Sequence, residues 1–369
     1  MSIIIGSLLL LFILTIILFV NLSPEFGGSA TKEQKASYVK SDNYANGKFL
    51  NKGNVKLDMS FRDMRKSLVG FFNPLPNTVP KQNIPVQKID SLNLTTYKDS
   101  TRLIWFGHST FLVQIENLNI LIDPMFGEVP APHPTLGNNR FSKELPIEIE
   151  KLPLIDAVLI SHDHYDHLDY GSIKRLKDKV NMFYTPLGVG IHLQEWGIEK
   201  ERIVELDWWQ EVKFEELIFR CTPAQHFSGR GLNDRANTLW GSWIIKSSRD
   251  NIFFSGDSGY GSHFKEIGDK YGPFDFAMME CGQYNELWSD IHMFPEETAQ
   301  AGVDLKAKLI MPIHWGAFKL SMHPWTEPVE RISIKANELD IPLIIPIIGE
   351  VIELKQQADD NLRWWNQDQ

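Results

Sequence analysis

The sequence predicts an α/β fold in which strands alternate with helices, and three observations support this prediction. From about residue 100 onward the chain contains short apolar runs of about four to eight residues, each bounded by turn residues, as is typical of buried strands. Helix-like stretches such as GSIKRLKDKV and PEETAQAGVDLKAK lie between these runs. An aspartate or a histidine follows directly after several runs, as expected at the carboxyl edge of a layered sheet.

Residues 1–21 predict a membrane-spanning helix. From Ile3 to Val20 the chain reads IIIGSLLLLFILTIILFV, a stretch without a charge that would span about 27 Å as a helix. A cleaved signal peptide is the alternative, but no basic residue precedes the apolar run and no clear small-residue cleavage site follows it. Lys32, Lys35 and Lys40 come after the segment, so the positive-inside rule places the bulk of the protein on the cytoplasmic side of the membrane.

Residues 22–99 are interpreted as a tether and an N-terminal extension that packs on the core. The first part is polar and rich in Gly, Ser, Asn and Lys. The stretch MSFRDMRKSLVGFFNP then predicts an amphipathic helix with two open roles: it covers the core, or it rests on a membrane or lines a lipid site. Residues 100–355 are the predicted catalytic domain, and residues 356–369 are a polar tail.

The composition narrows the class of protein. Apolar residues make up 43% and charged residues 23% of the chain, as in an ordinary globular protein. The net charge of −10 argues against a nucleic-acid partner, which would select for a basic face. Two cysteines, Cys221 and Cys281, imply no disulfide framework. Monomer and homodimer both stay open.

The stretch HDHYDH, from His162 to His167, contains most of the chemical information in the sequence. His162 and His164 alternate on an extended turn and therefore point the same way, whereas Asp166 and His167 follow one step further round. Imidazole nitrogens and carboxylate oxygens are ligands that zinc prefers in proteins. The stretch therefore predicts a metal-binding motif rather than a solvated surface loop.

Residues after three other apolar runs complete a two-metal hypothesis. His226, Asp257 and His314 each follow such a run, and aligned strands would bring them to the edge that carries HDHYDH. The first metal ion would be bound by His162, His164 and His226, and the second by Asp166, His167 and His314. Asp257 has two carboxylate oxygens and would bridge the ions, with a hydroxide bridging them on the opposite side.

In their order along the chain, these motifs resemble those of the metallo-β-lactamase superfamily. They stand here as LIDP at Asp123, SHDHYDHLD, AQH at His226, SGDS at Asp257 and IHW at His314. The resemblance covers roughly residues 100 to 350, and it implies a four-layer αββα sandwich, preceded here by the transmembrane helix, with two zinc ions (Zn²⁺). In that family the residue matching Asp123 supports the ligands. His164 stands where the diiron relatives have glutamate, which is similar to the zinc hydrolases.

A narrower resemblance is to N-acylphosphatidylethanolamine-hydrolysing phospholipase D and its bacterial relatives. It rests on the segments WFGHSTFLVQIENLNILIDPMF, HDHYDHLD, RGLNDRANTLWGSW, DIHMFPEET and MPIHWGAF. It implies that Tyr165 lies beside the metals, that His292 lies at the substrate phosphate, and that His108 supports the site. An alternative role for His292 is to cap the helix that starts near Pro295.

Together these residues imply a zinc-dependent phosphodiesterase that cleaves N-acyl phosphatidylethanolamine or a similar membrane lipid. The bridging hydroxide would attack phosphorus, Asp166 would orient or deprotonate it, and His292 would contact the phosphate or protonate the leaving oxygen. Two alternatives are a lactonase or esterase acting on a small phosphorylated substrate, and a non-enzymatic membrane binding component. Five tryptophans have two alternative roles, since they would either line an acyl groove or pack in the core: Trp208, Trp209, Trp240, Trp243 and Trp288.

Overall fold

The computed structural model describes residues 2–53, 55–57, 60–96, 100–354 and 363–366. Met59 of the predicted amphipathic helix lies outside the described residues, as does most of the predicted tail. The helices are α1 Ser2–Leu22, α2 Lys32–Tyr38, α3 Phe61–Phe72, α4 Ser91–Thr96, α5 Tyr170–Leu176, α6 Gly190–Glu195, α7 Ser262–Tyr271, α8 Pro295–Asp304 and α9 Glu327–Glu338. The first strands are β1 Tyr44–Ala45, β2 Lys48–Phe49, β3 Arg102–Trp105, β4 Phe111–Ile115, β5 Leu118–Ile122, β6 Ile155–Leu159, β7 Val180–Pro186 and β8 Ile203–Leu206. The remaining strands are β9 Glu211–Phe214, β10 Leu217–Thr222, β11 Ser242–Lys246, β12 Asn251–Phe254, β13 Phe276–Glu280, β14 Ile310–Ile313 and β15 Val351–Glu353.

Most of these strands form two large mixed sheets. The first sheet has the order β15-β3-β4-β5-β6-β7-β8, and its strands from β5 to β8 are parallel. The second sheet has the order β14-β13-β12-β11-β10-β9, and its strands β12, β13 and β14 are parallel. β1 and β2 form a separate small hairpin.

Side chains from both faces of each sheet are buried, which produces three hydrophobic layers. Leu103 and Trp105 of β3 join Trp243 and Phe254 of the second sheet in the layer between the sheets. On its outer face the first sheet packs against α5 and α6. On its outer face the second sheet packs against α7, α8 and α9. This arrangement confirms the predicted αββα sandwich.

The two helices predicted inside the domain are present and end earlier than expected. Asp169 caps α5, because its carboxylate accepts a hydrogen bond from the Ser172 amide at 2.8 Å. After α5 the chain continues as a short 3-10 helix over Lys177–Lys179. α8 begins at Pro295 with two acids in its first turn, as predicted, and ends at Asp304.

The strand directions explain why the site lies at one edge. β5, β6, β12 and β14 end at this edge, and β10 ends there too because two antiparallel steps relate it to β12. The residues that follow these strands are the ones singled out by sequence: Asp123, the HDHYDH motif, Asp257, His314 and His226.

The helices α1 and α3 of the N-terminal region expose apolar side chains, whereas Tyr38, Phe49 and Ile84 of the same region belong to the core between the sheets. Ile4–Leu22 of α1 has a mean hydropathy of 2.8 and none of it is buried, features that a membrane span and a signal sequence share. The apolar stripe of α3 is also exposed, with Phe61 at 77% and Phe72 at 79%. Ser67 of α3 is buried and Phe71 lines a cavity of the domain, so one side of the helix contacts the domain while the stripe faces outward, and both roles considered for α3 stay predictions.

Candidate metal centre

The HDHYDH motif folds into a tight turn directly after β6. His167 and Leu168 both donate backbone hydrogen bonds to the carbonyl of His164, which returns His167 toward the start of the motif. Asp163 fixes the turn to a neighbouring loop, since its carboxylate accepts hydrogen bonds from the Gly229 amide and the Thr238 hydroxyl, both at 2.7 Å. The second residue of the motif is thus structural.

Three histidines converge on the first predicted metal position. His162 Nε2 lies 3.0 Å from His164 Nδ1, and His226 Nε2 lies 3.2 Å from that same His164 nitrogen. Nitrogens bound to one tetrahedral zinc, at about 2.0–2.1 Å from it, lie about 3.3 Å from each other. The three nitrogens are therefore spaced as ligands of a single ion.

The second predicted position is formed by Asp166, His167 and His314. Asp166 Oδ2 lies 3.4 Å from His167 Nε2 and 3.9 Å from His314 Nδ1. His108 joins this group, because its Nε2 lies 2.8 Å from Asp166 Oδ2. The hydrogen bond from His108 orients Asp166, in agreement with the supporting role that the resemblance implies.

Asp257 connects the two positions. Its Oδ2 lies 3.7 Å from both His162 Nε2 and His226 Nε2, whereas its Oδ1 lies 3.1 Å from His167 Nε2 and 3.0 Å from His314 Nδ1. Gly256 permits this placement: it has a φ of 59°, and a Cβ there would lie 2.8 Å from the Gly241 carbonyl oxygen. Each carboxylate oxygen therefore faces a different histidine set, as a bridging ligand requires.

Asp123 supports the centre through His167 and the start of the HDHYDH motif. Its carboxylate accepts hydrogen bonds from the Ser161 amide at 2.7 Å and hydroxyl at 2.6 Å, and it lies 2.7 Å from His167 Nδ1. A carboxylate on the outer nitrogen of a metal-binding histidine fixes the ring and its tautomer. Asp123, His108 and His314 have φ values of 39°, 55° and 65°, a conformation that non-glycine residues adopt at a cost and that concentrates at functional sites.

The charges of the side chains suit metal binding. Burial and the neighbouring histidines hold the pKa of His162, His226 and His314 well below the ordinary value, so these rings are neutral. Burial opposes the charged form of Asp166, but His167 and His108 hold its pKa well below the ordinary value, so it is anionic. Against burial, Asp257 and Asp166 raise the pKa of His167.

Two buried polar atoms test whether a metal ion fits here. Among the described residues, His167 Nε2 and Asp257 Oδ1 are fully buried and form no hydrogen bond, although they lie only 3.1 Å apart. Burying such groups without a hydrogen bond is costly, and here only ion-pair contacts offset that cost. A cation between them would satisfy both atoms. The donor set, the spacing and these two atoms therefore fit a metal centre.

His292 and Tyr165, predicted as catalytic residues, have different surroundings. His292 has a ring nitrogen within 4.8 Å of donor atoms of Asp257 and His314, and it lines the cavity over the centre. The Tyr165 hydroxyl donates to the Arg230 carbonyl at 2.6 Å, and the ring packs under the Arg230 guanidinium. In this structure Tyr165 supports the loop that carries Arg230, and its proposed role beside the metals stays a prediction.

Glu280 is a site residue that the sequence reasoning missed. It is the last residue of β13, fully buried, and its Oε1 lies 3.2 Å from His292 Nδ1. Burial raises the pKa of Glu280 to about 7, and the hydrogen bond to His292 opposes the shift. The rule that located the other residues, a polar side chain at a strand end, would have identified Glu280 had FAMME been interpreted as a strand.

A cavity of about 570 Å³ opens over the metal centre. Its polar lining includes His164, Asp166, His226, Asp257, His292 and His314. Its apolar lining includes Leu57, Phe71, Phe227, Leu232, Leu287, Trp288, Ile291 and Leu320. Of the five tryptophans considered for an acyl groove, Trp288 lines the cavity, whereas Trp208, Trp240 and Trp243 are buried in the core between the sheets.

Comparison with known proteins identifies the family. Residues 118–315 match the family model of the beta-lactamase superfamily domain, and this match spans more than half of the chain. The chain belongs to the metallo-β-lactamase superfamily. An uncharacterized protein of Mycobacterium tuberculosis is 42% identical over 261 residues, which cover 69% of this chain and 70% of that protein. The enzyme is a metal-dependent hydrolase of this superfamily.

A second relative has a more specific name. N-acyl-phosphatidylethanolamine-hydrolyzing phospholipase D 1 of Caenorhabditis elegans is 29% identical over 297 residues, which cover 76% of this chain and 81% of that enzyme. Among solved structures, the isothiocyanate hydrolase from Delia radicum gut bacteria aligns with a TM-score of 0.55 at 22% identity, over 68% of this chain and 98% of that one. The structural match supports the fold alone.

Proposed function

We propose that this hydrolase is a zinc-dependent phosphodiesterase of the phospholipase D type that cleaves N-acyl phosphatidylethanolamine or a similar lipid phosphodiester. The observation that carries the proposal is that residues of the two-site centre and a set of apolar side chains line the same cavity. A lipid phosphodiester matches both parts of this lining, since its phosphate is anionic and its acyl chains are apolar. The similarity to the C. elegans enzyme supports the same substrate class.

The proposed centre would hold two zinc ions in two ligand sets. His162, His164 and His226 would hold the first ion, Asp166, His167 and His314 would hold the second, and Asp257 would contribute to both. When bound, such a pair supplies an activated water molecule and stabilises negative charge on a phosphate. The protein side chains do the rest: Asp166 orients the nucleophile, and His292, which lines the cavity, contacts the phosphate or the leaving oxygen.

The apolar part of the cavity fits an acyl chain. The whole cavity has a volume of about 570 Å³, which lies within the range of small-molecule sites, about 300–1,000 Å³. Phe71 and Ser67 of α3 line it, and so does Leu232, which is 77% exposed and also borders a second cavity next to α1. α3 therefore borders this cavity directly, whereas α1 borders the neighbouring cavity that shares Leu232 with it.

We further propose that α1 is an uncleaved single-pass anchor, that the catalytic domain lies on the cytoplasmic side, and that the cavity opens toward the bilayer. The segment after α1 is docked on the domain: Trp196 Nε1 donates to the Pro24 carbonyl at 2.7 Å, and Arg230 Nη2 donates to the Glu25 carbonyl at 2.6 Å. Phe26 packs against Tyr165 of the metal motif, with ring centroids 6.4 Å apart. This short connection holds the metal centre close to the membrane surface.

The activity is tested on the full-length protein, loaded with zinc and reconstituted in vesicles that contain N-acyl phosphatidylethanolamine. We expect release of phosphatidic acid and an N-acylethanolamine, detected by mass spectrometry. In ¹⁸O-labelled water the label should enter phosphatidic acid, because water attacks phosphorus. Release of a fatty acid, or turnover restricted to short water-soluble esters and lactones, would support the esterase alternative instead.

The role of α3 is tested by replacing its exposed stripe. We expect the variant Phe61→Ser/Leu68→Ser/Phe72→Ser to have a KM for vesicle lipid at least about tenfold higher, since each removed side chain contributes about 1.5–3 kcal/mol when it is fully buried in an apolar phase. Turnover of a short soluble phosphodiester should not change. Initial rates against lipid mole fraction provide the measurement.

A matched control removes three other exposed apolar side chains, in the variant Leu154→Ser/Val303→Ser/Ile334→Ser. These positions lie outside the lining of the cavity. An equal rise in KM in both variants, or none in the α3 variant, would contradict the membrane-facing role of α3.

A further inference from the structure

Glu280 is a fully buried carboxylate that the proposed reaction does not use directly. It ends β13, the strand between β12 and β14, and these two neighbours deliver Asp257 and His314. A buried carboxylate is costly unless hydrogen-bond donors surround it. The hydrogen-bond donors around Glu280 therefore explain how the fold can bury this carboxylate.

Both carboxylate oxygens of Glu280 contact the segment that carries His292. Oε1 lies 3.2 Å from His292 Nδ1, and Oε2 accepts a hydrogen bond from the Met293 amide at 2.9 Å. The Thr298 hydroxyl of α8 donates a hydrogen bond to the backbone carbonyl of Glu280 at 2.8 Å. This bond connects the first turns of α8 to the end of β13. One residue thus fixes the ring and the backbone of the segment.

The position of His292 gives this contact a chemical consequence. The ring stacks on that of His314, with centroids 5.2 Å apart, and meets that of His226 edge-on at 5.0 Å. His292 therefore lies across both metal positions. Because Glu280 engages Nδ1, Nε2 is the nitrogen left to contact a substrate in the cavity.

We propose that Glu280 is a positioning residue that fixes the tautomer and the ring orientation of His292, so that Nε2 faces the substrate phosphate. The arrangement is that of a carboxylate behind a catalytic histidine, in which the carboxylate orients the ring without touching the substrate. The contact of His292 with a substrate rests on the proposed function. The hydrogen bond from His292 Nδ1 to Glu280 is independent of the proposed function.

Glu297 offers a matched control. Its Oε2 accepts a hydrogen bond from the Phe294 amide at 2.9 Å, one residue after the amide that Glu280 accepts. Glu280→Gln and Glu297→Gln therefore each replace a carboxyl group that accepts a backbone hydrogen bond from this segment by an amide. In Glu280→Gln only one side-chain oxygen remains to accept hydrogen bonds from His292 Nδ1 and from the Met293 amide. The new NH₂ group then faces one of these two donors.

The first measurement does not depend on activity. The zinc-loaded full-length protein, with ¹⁵N in its histidine rings, is observed by NMR in detergent micelles. We expect one imidazole N–H correlation that His292→Gln removes, that Glu280→Gln removes or shifts strongly, and that Glu297→Gln leaves in place. Absence of a His292 Nδ1–H signal in the wild type, or its persistence unchanged in Glu280→Gln, would overturn the proposal.

The second measurement is kinetic, with a phosphodiester that the wild type hydrolyses. Glu280→Gln should lower kcat about 10- to 100-fold with little change in KM or zinc content, as for other residues that orient a site side chain. In the His292→Gln background the same substitution should have no further effect, whereas a purely structural role would lower kcat equally in both backgrounds. Lack of phosphodiesterase activity in the wild type would reject the proposed function and leave the NMR result to decide the hydrogen bond.

Discussion

Asp257→Asn should lower kcat at least about 10³-fold, because it weakens both metal positions at once. The two oxygens of Asp257 face different histidine sets, at 3.7 Å from His162 and His226 and at 3.0–3.1 Å from His314 and His167. Asparagine keeps one oxygen and presents an amide N–H₂ to the other set, and this group cannot bind a cation. Loss of several kcal/mol of charge stabilisation corresponds to this factor.

The measurement combines kcat with zinc content, determined by elemental analysis on the same samples. We expect about two zinc ions per chain in the wild type and one or fewer in Asp257→Asn. Asp234→Asn serves as the control, since Asp234 lines the same cavity but accepts hydrogen bonds from the backbone amides of Arg230 and Gly231. Equal activity and equal zinc content in wild type and Asp257→Asn would reject the assignment of Asp257 as the bridge.

Much of the centre could be predicted from the sequence because its chemistry is local to strand ends. An apolar run predicts a buried strand, and the strand direction decides where its last residue lies, so Asp123, His226, Asp257 and His314 were placed at one edge before any contact was known. The direction of β10 was not predictable in this way, since it depends on β11, which the sequence reasoning did not identify. The prediction assumed that β10 runs parallel to its neighbours. In the structure β10 is antiparallel to β11 and β11 is antiparallel to β12, so β10 still ends at the same edge as β12.

Other features depend on tertiary contacts that leave little trace in the local sequence. Arg230 donates to the carbonyls of Glu25, Asp163 and Leu168, and a backbone carbonyl carries no residue signature. The amphipathic pattern of α3 predicted the helix but not its environment, because the same stripe can face a core or a membrane. Glu280 was missed because FAMME was not interpreted as a strand, and its contact with His292 follows only once β13 is in place.

Lowering the pH through the raised pKa of His167 should remove one zinc ion before the other. Chelation of both ions should abolish activity and lower the melting temperature. In the metal-free protein Asp257 and Asp166 overcome the effect of burial and raise the pKa of His167 well above its ordinary value, so the proton on His167 competes with the second ion. Below that raised pKa, each unit of pH lowers the affinity of this position about tenfold. At the first position, burial lowers the pKa of His162, His164 and His226, so their rings are neutral and little proton competition occurs there.

Zinc content after gel filtration at stepwise pH provides the measurement, with melting curves on the same fractions. An ion present at about a thousand times its Kd stabilises the fold by about 4 kcal/mol, so the melting temperature should fall in two steps as the ions leave. His226→Gln affects the first position only, and in this variant the ion that remains should be the pH-sensitive one. Simultaneous loss of both ions, or a pH-resistant ion in His226→Gln, would contradict the unequal charge states, because the raised pKa of His167 is what separates the two positions.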